Sequence, residues 1–379
     1  MDVTIPRGVD QLDRRQALGK DPAPLKFGPK DGFYQALKQS VDEYFNQTGL
    51  PRRDCPGMYL KTVVVFAWFI ASYCLLVFGA PVWWLAVPLT ISLGLSVAAI
   101  GFNVQHDGNH GGYSNRPWVN KLMAMSLDLM GGSSYVWARK HNAIHHSFTN
   151  VAGHDDDINV GLLGRLAPEQ RRLPVHRIQH WYLWILYGFL PVKWQFFDDY
   201  RDVVVGRMGG HVFPRPKGMD LVVFIGGKLA FMTMALVIPL MLHPAWVVFT
   251  FYAICTLAQG VTLSVVFQMA HCVEEAEFPT PLPPTHDRME SSWAAHQVET
   301  TVNFARRNKL LSWYVGGLNY QIEHHLFPQI CHLHYAALSE RVEKVCREFG
   351  LRYMAHPTFR AGIASHYRWL RRMGMPVTA

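Results

Sequence analysis

Seven of the 19 histidines stand at spacings that suit metal ligation, and an eighth stands alone. His106-Asp-Gly-Asn-His110 sets two imidazoles at i,i+4, which a helix brings to one face. His141-Asn-Ala-Ile-His145-His146 repeats that pair and adds a neighbour turned by about 100°, able to reach a second ion. Gln321-Ile-Glu-His324-His325 forms a third cluster, and His271 stands alone ahead of it. Imidazole nitrogen suits zinc, copper, iron or nickel, but zinc is satisfied by four ligands, or by three and a water. Eight histidines therefore imply two ions. Asp107, Glu323 and the run Asp155-Asp156-Asp157 can hydrogen-bond the distal nitrogens of such imidazoles, although a solvated loop is the favoured reading of the triple aspartate. Spacing does not require His154, His332 or His334 as ligands, and Cys272 reads as a small buried residue. The six cysteines include no CxxC pair, which argues against a disulfide framework or a zinc knuckle.

The elements that must carry these side chains are written in hydropathy. Half the 379 residues are hydrophobic and only 17% are charged, against about a quarter in soluble domains. Segments 62–81 and 82–101 hold no charged side chain, and 219–242 and 245–268 are interrupted only by Lys228 and the terminal Asp220. Each approaches the ~20 residues that cross a bilayer as a helix, so four spans in two hairpins are expected. The run 181–192 is too short to cross and reads as an interfacial or buried helix. All 36 Lys and Arg except Lys228 lie before residue 62, between 102 and 218, or after 268. By the positive-inside rule these segments face the cytosol, with the hairpin turns near Ala80 and His243 outside. The histidine clusters then share the cytosolic ends of the spans. The net charge of +8 describes a membrane-facing surface and not a nucleic-acid site. Lys228 is expected to snorkel or to face the protein interior.

The motifs HDGNH at 106, HNAIHH at 141 and GHDDDIN at 153, with the long run QVETTVNFARRNKLLSWYVGGLNYQIEHHLFP from Gln297 to Pro328, carry a resemblance. Over about 100–350 the sequence resembles the membrane fatty-acid desaturases, and within them the front-end and linoleoyl-CoA desaturase group. The resemblance implies a non-haem di-iron site, with dioxygen as co-substrate, held by His106, His110, His141, His145, His146, His271, His324 and His325. Gln321 stands where most members have histidine, and is either a weak ligand or a space-filler. Many members carry a fused cytochrome b5 domain with an HPGG motif; no HPGG occurs here. The implied electron donor is a separate protein, a ferredoxin or cytochrome b5 with its reductase. The implied substrate is a fatty-acyl chain on coenzyme A or a lipid, and the expected location a bacterial inner membrane.

The expected fold is all-α without a sheet, the spans capped by cytosolic helices that hold the irons. Residues 1–61 form a cytosolic lead, 62–350 the membrane domain and 351–379 a cytosolic tail. Within these, 32–47 reads as a helix lying along the membrane, the Pro-rich 274–292 as a mobile loop, and 335–349 as an amphipathic helix. Hydroxylation of a lipid chain on the same scaffold is the alternative reaction, and a zinc hydrolase or metal-stabilised bundle a more distant one.

Overall fold

The computed structural model describes residues 25–79, 82–208, 211–283 and 287–376. The punctuation at Pro22 and Pro24, the first hairpin turn at Ala80 and Pro81, part of the 274–292 loop and the last three residues lie outside them. Four helices are long and apolar enough to cross a membrane: Pro56–Gly79, Trp83–His110, Met219–Leu242 and Ala245–His271. The first begins at Pro56 and not at 62. Proline suits a first helical turn, and Lys61, which read as a polar boundary, is buried with its Nζ 2.9 Å from His332 Nε2. The second runs unbroken through a π-helical turn at Gly101–Gln105 into the first histidine pair. It stops where Gly111 takes a left-handed φ of 71°.

The second and fourth spans are the inner pair. Their most apolar windows are 44% and 33% buried, against 17% in each of the other two. They approach closely because Gly94 lacks a side chain: a Cβ there would lie 2.5 Å from the Cys255 carbonyl oxygen. Lys228, inside the third span, faces the protein. Its ammonium donates to Asp199 Oδ2 at 2.7 Å and to the carbonyls of Gly131 at 2.7 Å and Trp194 at 3.1 Å.

Helices outside the spans close over one end of this bundle. Phe33–Thr48 buries Phe33, Leu37, Val41 and Phe45 in one core with Leu338, Val342 and Cys346 of Tyr335–Glu348. Its apolar face is thus covered by protein and does not lie along a bilayer. The 181–192 stretch is two helices, Gln179–Tyr187 and Leu190–Lys193. They pack on the fourth span while leaving Trp181, Ile185 and Phe189 exposed, as a half-embedded helix would. Beyond residue 351, Phe359–Gly374 is built into the cap: Trp369 Nε1 donates to Leu166 O, and the His366 ring lies 2.6 Å from Cys272 O.

Two expectations need correction. Short strand pairs do form, Arg207–Met208 with His211–Val212 and Asn303–Phe304 with Ala355–His356, because extended chain crossing between helices must satisfy its backbone. The described part of 274–292 is anchored: Phe278 stacks on Trp369, Glu274 pairs with Arg368, and Met289 N donates to Lys26 O. Proline in a loop removes donors without preventing such contacts.

Candidate metal centre

All eight histidines are buried, and the four elements that carry them converge at one end of the bundle. His106, His110, His141 and His324 bring their donor nitrogens within 4.8 Å of one another, and so do His145, His271 and His325. His146 forms a third such set with His324 and His325 and stands between the other two. Its Nε2 lies 3.3 Å from His141 Nε2 and 3.0 Å from His324 Nε2. The Nε2 atoms of His106, His110, His145, His271 and His325 are buried without a hydrogen-bond partner. Orphaned nitrogens are expensive in a protein interior, and a cluster of them aimed at common points can bind metal. The residues fit a metal site. His141 and His145 stand in different all-histidine sets, although with Asp157 they also form a set of their own. Ala138–His145 is π-helical, and its i→i+5 bonding redirects side chains four apart.

The other side of the rings explains their orientation. His145 Nδ1 donates to Asp155 Oδ2 at 3.0 Å and His141 Nδ1 to Asp157 Oδ2 at 3.4 Å. His325 Nδ1 donates to Gln297 Oε1 at 2.8 Å, His271 Nδ1 to Thr300 O at 3.4 Å, and His324 Nδ1 to the Tyr335 hydroxyl at 3.4 Å. Each bond places the proton on Nδ1 and leaves the Nε2 lone pair for a metal. The aspartate run is therefore no solvated loop: Asp155 is buried, and Asn150, at a φ of 60°, turns the chain so that its own N–H donates to Asp155. Asn150 Nδ2 also donates to the carbonyls of His271 and Glu277 at 3.0 Å, tying this turn to the end of the fourth span. Asp107 and Glu323 behave otherwise than expected. Asp107 Oδ2 accepts from His332 Nδ1 at 2.9 Å, with His106 Nδ1 3.9 Å from its Oδ1, and Glu323 accepts from Asn303 and Tyr353. Gln297, Asn150, Thr300 and Tyr335 carry no motif of their own and were missed by sequence reasoning; only the position of Gln297 at the head of the long run hinted at a role.

Electrostatics suits ligation, which requires neutral imidazole. Burial pushes His141 down to about 3, and holds His146, His324 and His325 well below the ordinary range. Burial pulls His145 the same way, but the carboxylates of Asp155 and Asp157 outweigh it and raise the ring. Gln321 is buried on the helix of His324 and His325, and its Nε2 has no partner. His154 and His334 stay outside the sets, and His332 groups with Asp107 and Cys331.

Residues 81–357 match the sequence profile described as fatty acid desaturase. The chain belongs to that family. Over 353 residues it is 39% identical to the sn-1 linoleoyl-lipid 6-desaturase of Arthrospira platensis, covering 93% of this chain and 95% of the relative. The enzyme of that name from Synechocystis sp. is 38% identical, covering 92% and 98%. The acyl-lipid (8-3)-desaturase of Physcomitrium patens is 36% identical, covering 91% and 72%.

The desaturase holds three cavities in a row past its histidines. The outermost, of about 400 Å³, is lined by His141, His145 and His271 together with Leu186, Tyr187 and Phe267. It shares Leu127, Trp137, Trp194 and Phe267 with a neck of about 30 Å³ that His106 borders. The neck shares Val97, Met130 and Gln259 with an apolar cavity of about 170 Å³ between the spans, which ends near Val77 and His243. All three cations bordering the outer cavity are paired: Lys140 with Asp156 and Asp157, Lys193 with Asp198, and Arg201 with Asp202.

Proposed function

We propose that this desaturase acts on acyl chains of membrane lipids, that its eight histidines hold two irons, and that the new double bond forms between an existing one and the carboxyl end. The observation that carries the metal assignment is the set of five buried, unpartnered Nε2 atoms beside an acyl-sized cavity. His106, His110, His141 and His324 hold one ion, His145, His271 and His325 the other, and His146 lies between them. Gln321, on the helix of His324 and His325, is taken as a further, weaker donor through its amide oxygen. When bound, the two irons supply the activation of dioxygen that breaking unactivated C–H bonds demands.

The chain's own residues bind and orient. An acyl chain threaded through the row of cavities is held by apolar contact at about 0.8 kcal/mol per buried CH2. Its reacting carbons pass between His106 and His141, and Trp137, stacked 4.3 Å from the His141 ring, walls that position. In balance, R–CH2–CH2–R′, O2, two electrons and two protons give R–CH=CH–R′ and two waters. The electrons come from a separate ferredoxin or cytochrome b5. A lipid carrier is favoured over coenzyme A because the cations at the outer cavity already pair with aspartates and offer no open clamp for phosphates. The linoleoyl-lipid and acyl-lipid names of the relatives point the same way. Lys and Arg placement supports a cytosolic-side site, and the relatives from Arthrospira platensis and Synechocystis sp. support a bacterial membrane, read here as the inner one.

The test is expression in a desaturase-free host fed stearate or linoleate, with new bonds located by mass spectrometry. Linoleate should gain a bond on the carboxyl side of its first one. A product cut only in mid-stearate would overturn the front-end reading, and no new unsaturation in either chain would overturn the whole.

A further inference from the structure

The neck between the outer and inner cavities is lined almost entirely by apolar side chains, yet two carboxamides border it. Gln105, in the π-helical turn before His106, is buried and its Nε2 has no partner. Gln259, from the fourth span, is also buried and borders both the neck and the inner cavity. Neither side chain makes a hydrogen bond among the described residues. Gln105 Nε2 left unsatisfied in an apolar constriction opposes stability, and with the Gln259 amide lining the same space its presence asks for a ligand. The neck's roughly 30 Å³ is room enough to hold water.

We propose that Gln105 and Gln259 form a specificity site that reads a double bond already present in the acyl chain. The inference rests on the proposed course of the chain through the three cavities. With the headgroup at the outer cavity and the reacting carbons beside His106 and His141, the next carbons toward the methyl end lie in the neck. In a front-end substrate that is where the existing cis bond falls. Its π face accepts an amide N–H weakly, whereas a saturated segment displaces the water and returns nothing. Discrimination thus comes from what the saturated chain leaves unpaired. Met130, unbranched and able to change rotamer, lines the same neck and lets the chain pass.

Gln259 is the residue to vary, since Gln105 adjoins a proposed ligand. Full-length wild type, Gln259→Leu and Gln259→Met are expressed in the desaturase-free host with equal linoleate and stearate supplied. The ratio of linoleate to stearate conversion should fall about tenfold in both variants. An unchanged ratio in an active variant overturns the proposal and shows that the amides hold water only. A second measurement needs no variant: wild type is given monounsaturated chains whose cis bond is stepped from carbon 9 to carbon 13. Conversion should peak at one position, and a flat profile overturns the proposal. Failure of the function itself would look different, as wild type would leave linoleate untouched.

Discussion

Replacing Asp155 by Asn tests whether the two ions are held by separable sets of histidines. The Asp155 carboxylate is fully buried and collects three donors: His145 Nδ1–H at 3.0 Å and Asn150 N–H at 2.9 Å on Oδ2, and Asp157 N–H at 2.9 Å on Oδ1. Asparagine has a single acceptor oxygen, so its NH2 must face at least one of these donors. If that donor is His145, the ring loses the partner that fixes its proton on Nδ1, and its Nε2 is no longer a reliable lone pair. Loss of such a partner lowers metal affinity by roughly 10–100-fold, or about 1.4–2.7 kcal/mol. The effect should fall on the ion of His145, His271 and His325, while His106, His110, His141 and His324 keep theirs. Chelator titration of the purified full-length protein, with iron counted in each fraction, reads this directly. One iron should leave at 10–100-fold lower chelator concentration and the other as in wild type. Asp156→Asn is the control, since Asp156 pairs with Lys140 at 3.2 Å and touches no ring. Two irons released together, or both held as in wild type, would refute the division into two sets.

Four further outcomes follow from the packing. Lys228→Met strands the buried Asp199 carboxylate and should destabilise by roughly 3–5 kcal/mol; adding Asp199→Asn should restore most of the loss in detergent melts, and no restoration would contradict the pairing. Gly94→Leu should lower the melting temperature by prying the second and fourth spans apart, while Gly226→Ala, whose added Cβ meets nothing within 4 Å, should leave it unchanged. Gln321→Leu should weaken iron binding about tenfold and Gln321→His should not; equal iron content in both would make Gln321 a space-filler. A tag inserted at Pro244 should be labelled from the face opposite to a carboxyl-terminal tag, and labelling of both from one face would exclude four crossings.

The spans were legible because their signal is one-dimensional: some twenty residues without charge can be counted in any sequence. Where the start of the first span moved to Pro56, a single side chain was responsible. Lys61 resembles the water-exposed end of a span until His332, far along the sequence, is found 2.9 Å from its ammonium. The helices of the cap were visible in their periodicity, but their docking was not. Phe33, Leu37, Val41 and Phe45 make a stripe that a membrane surface or another helix would bury equally well, and only the fold supplies Leu338, Val342 and Cys346 as its neighbours.

At the metal centre the same distinction separates ligands from the groups that aim them. The eight histidines announce themselves because one residue type recurs at short spacing. Their partners are chemically ordinary: a glutamine, a backbone carbonyl, a tyrosine and two aspartates in a run of three. What makes Asp155 a partner of His145 is the left-handed turn at Asn150, and asparagine's tolerance of that conformation is too common to read as a signal in advance. The π-helical winding of Ala138–His145 was hidden as well, since i,i+4 spacing assumes the α-helical turn. That winding sets His141 among His106, His110 and His324, and His145 among His271 and His325, while His146 stands between the two sets. A regular α-helix would hold the first two rings to one face and leave the other set with His271 and His325 alone. The departure from regular geometry is therefore part of how a single segment contributes to both sets.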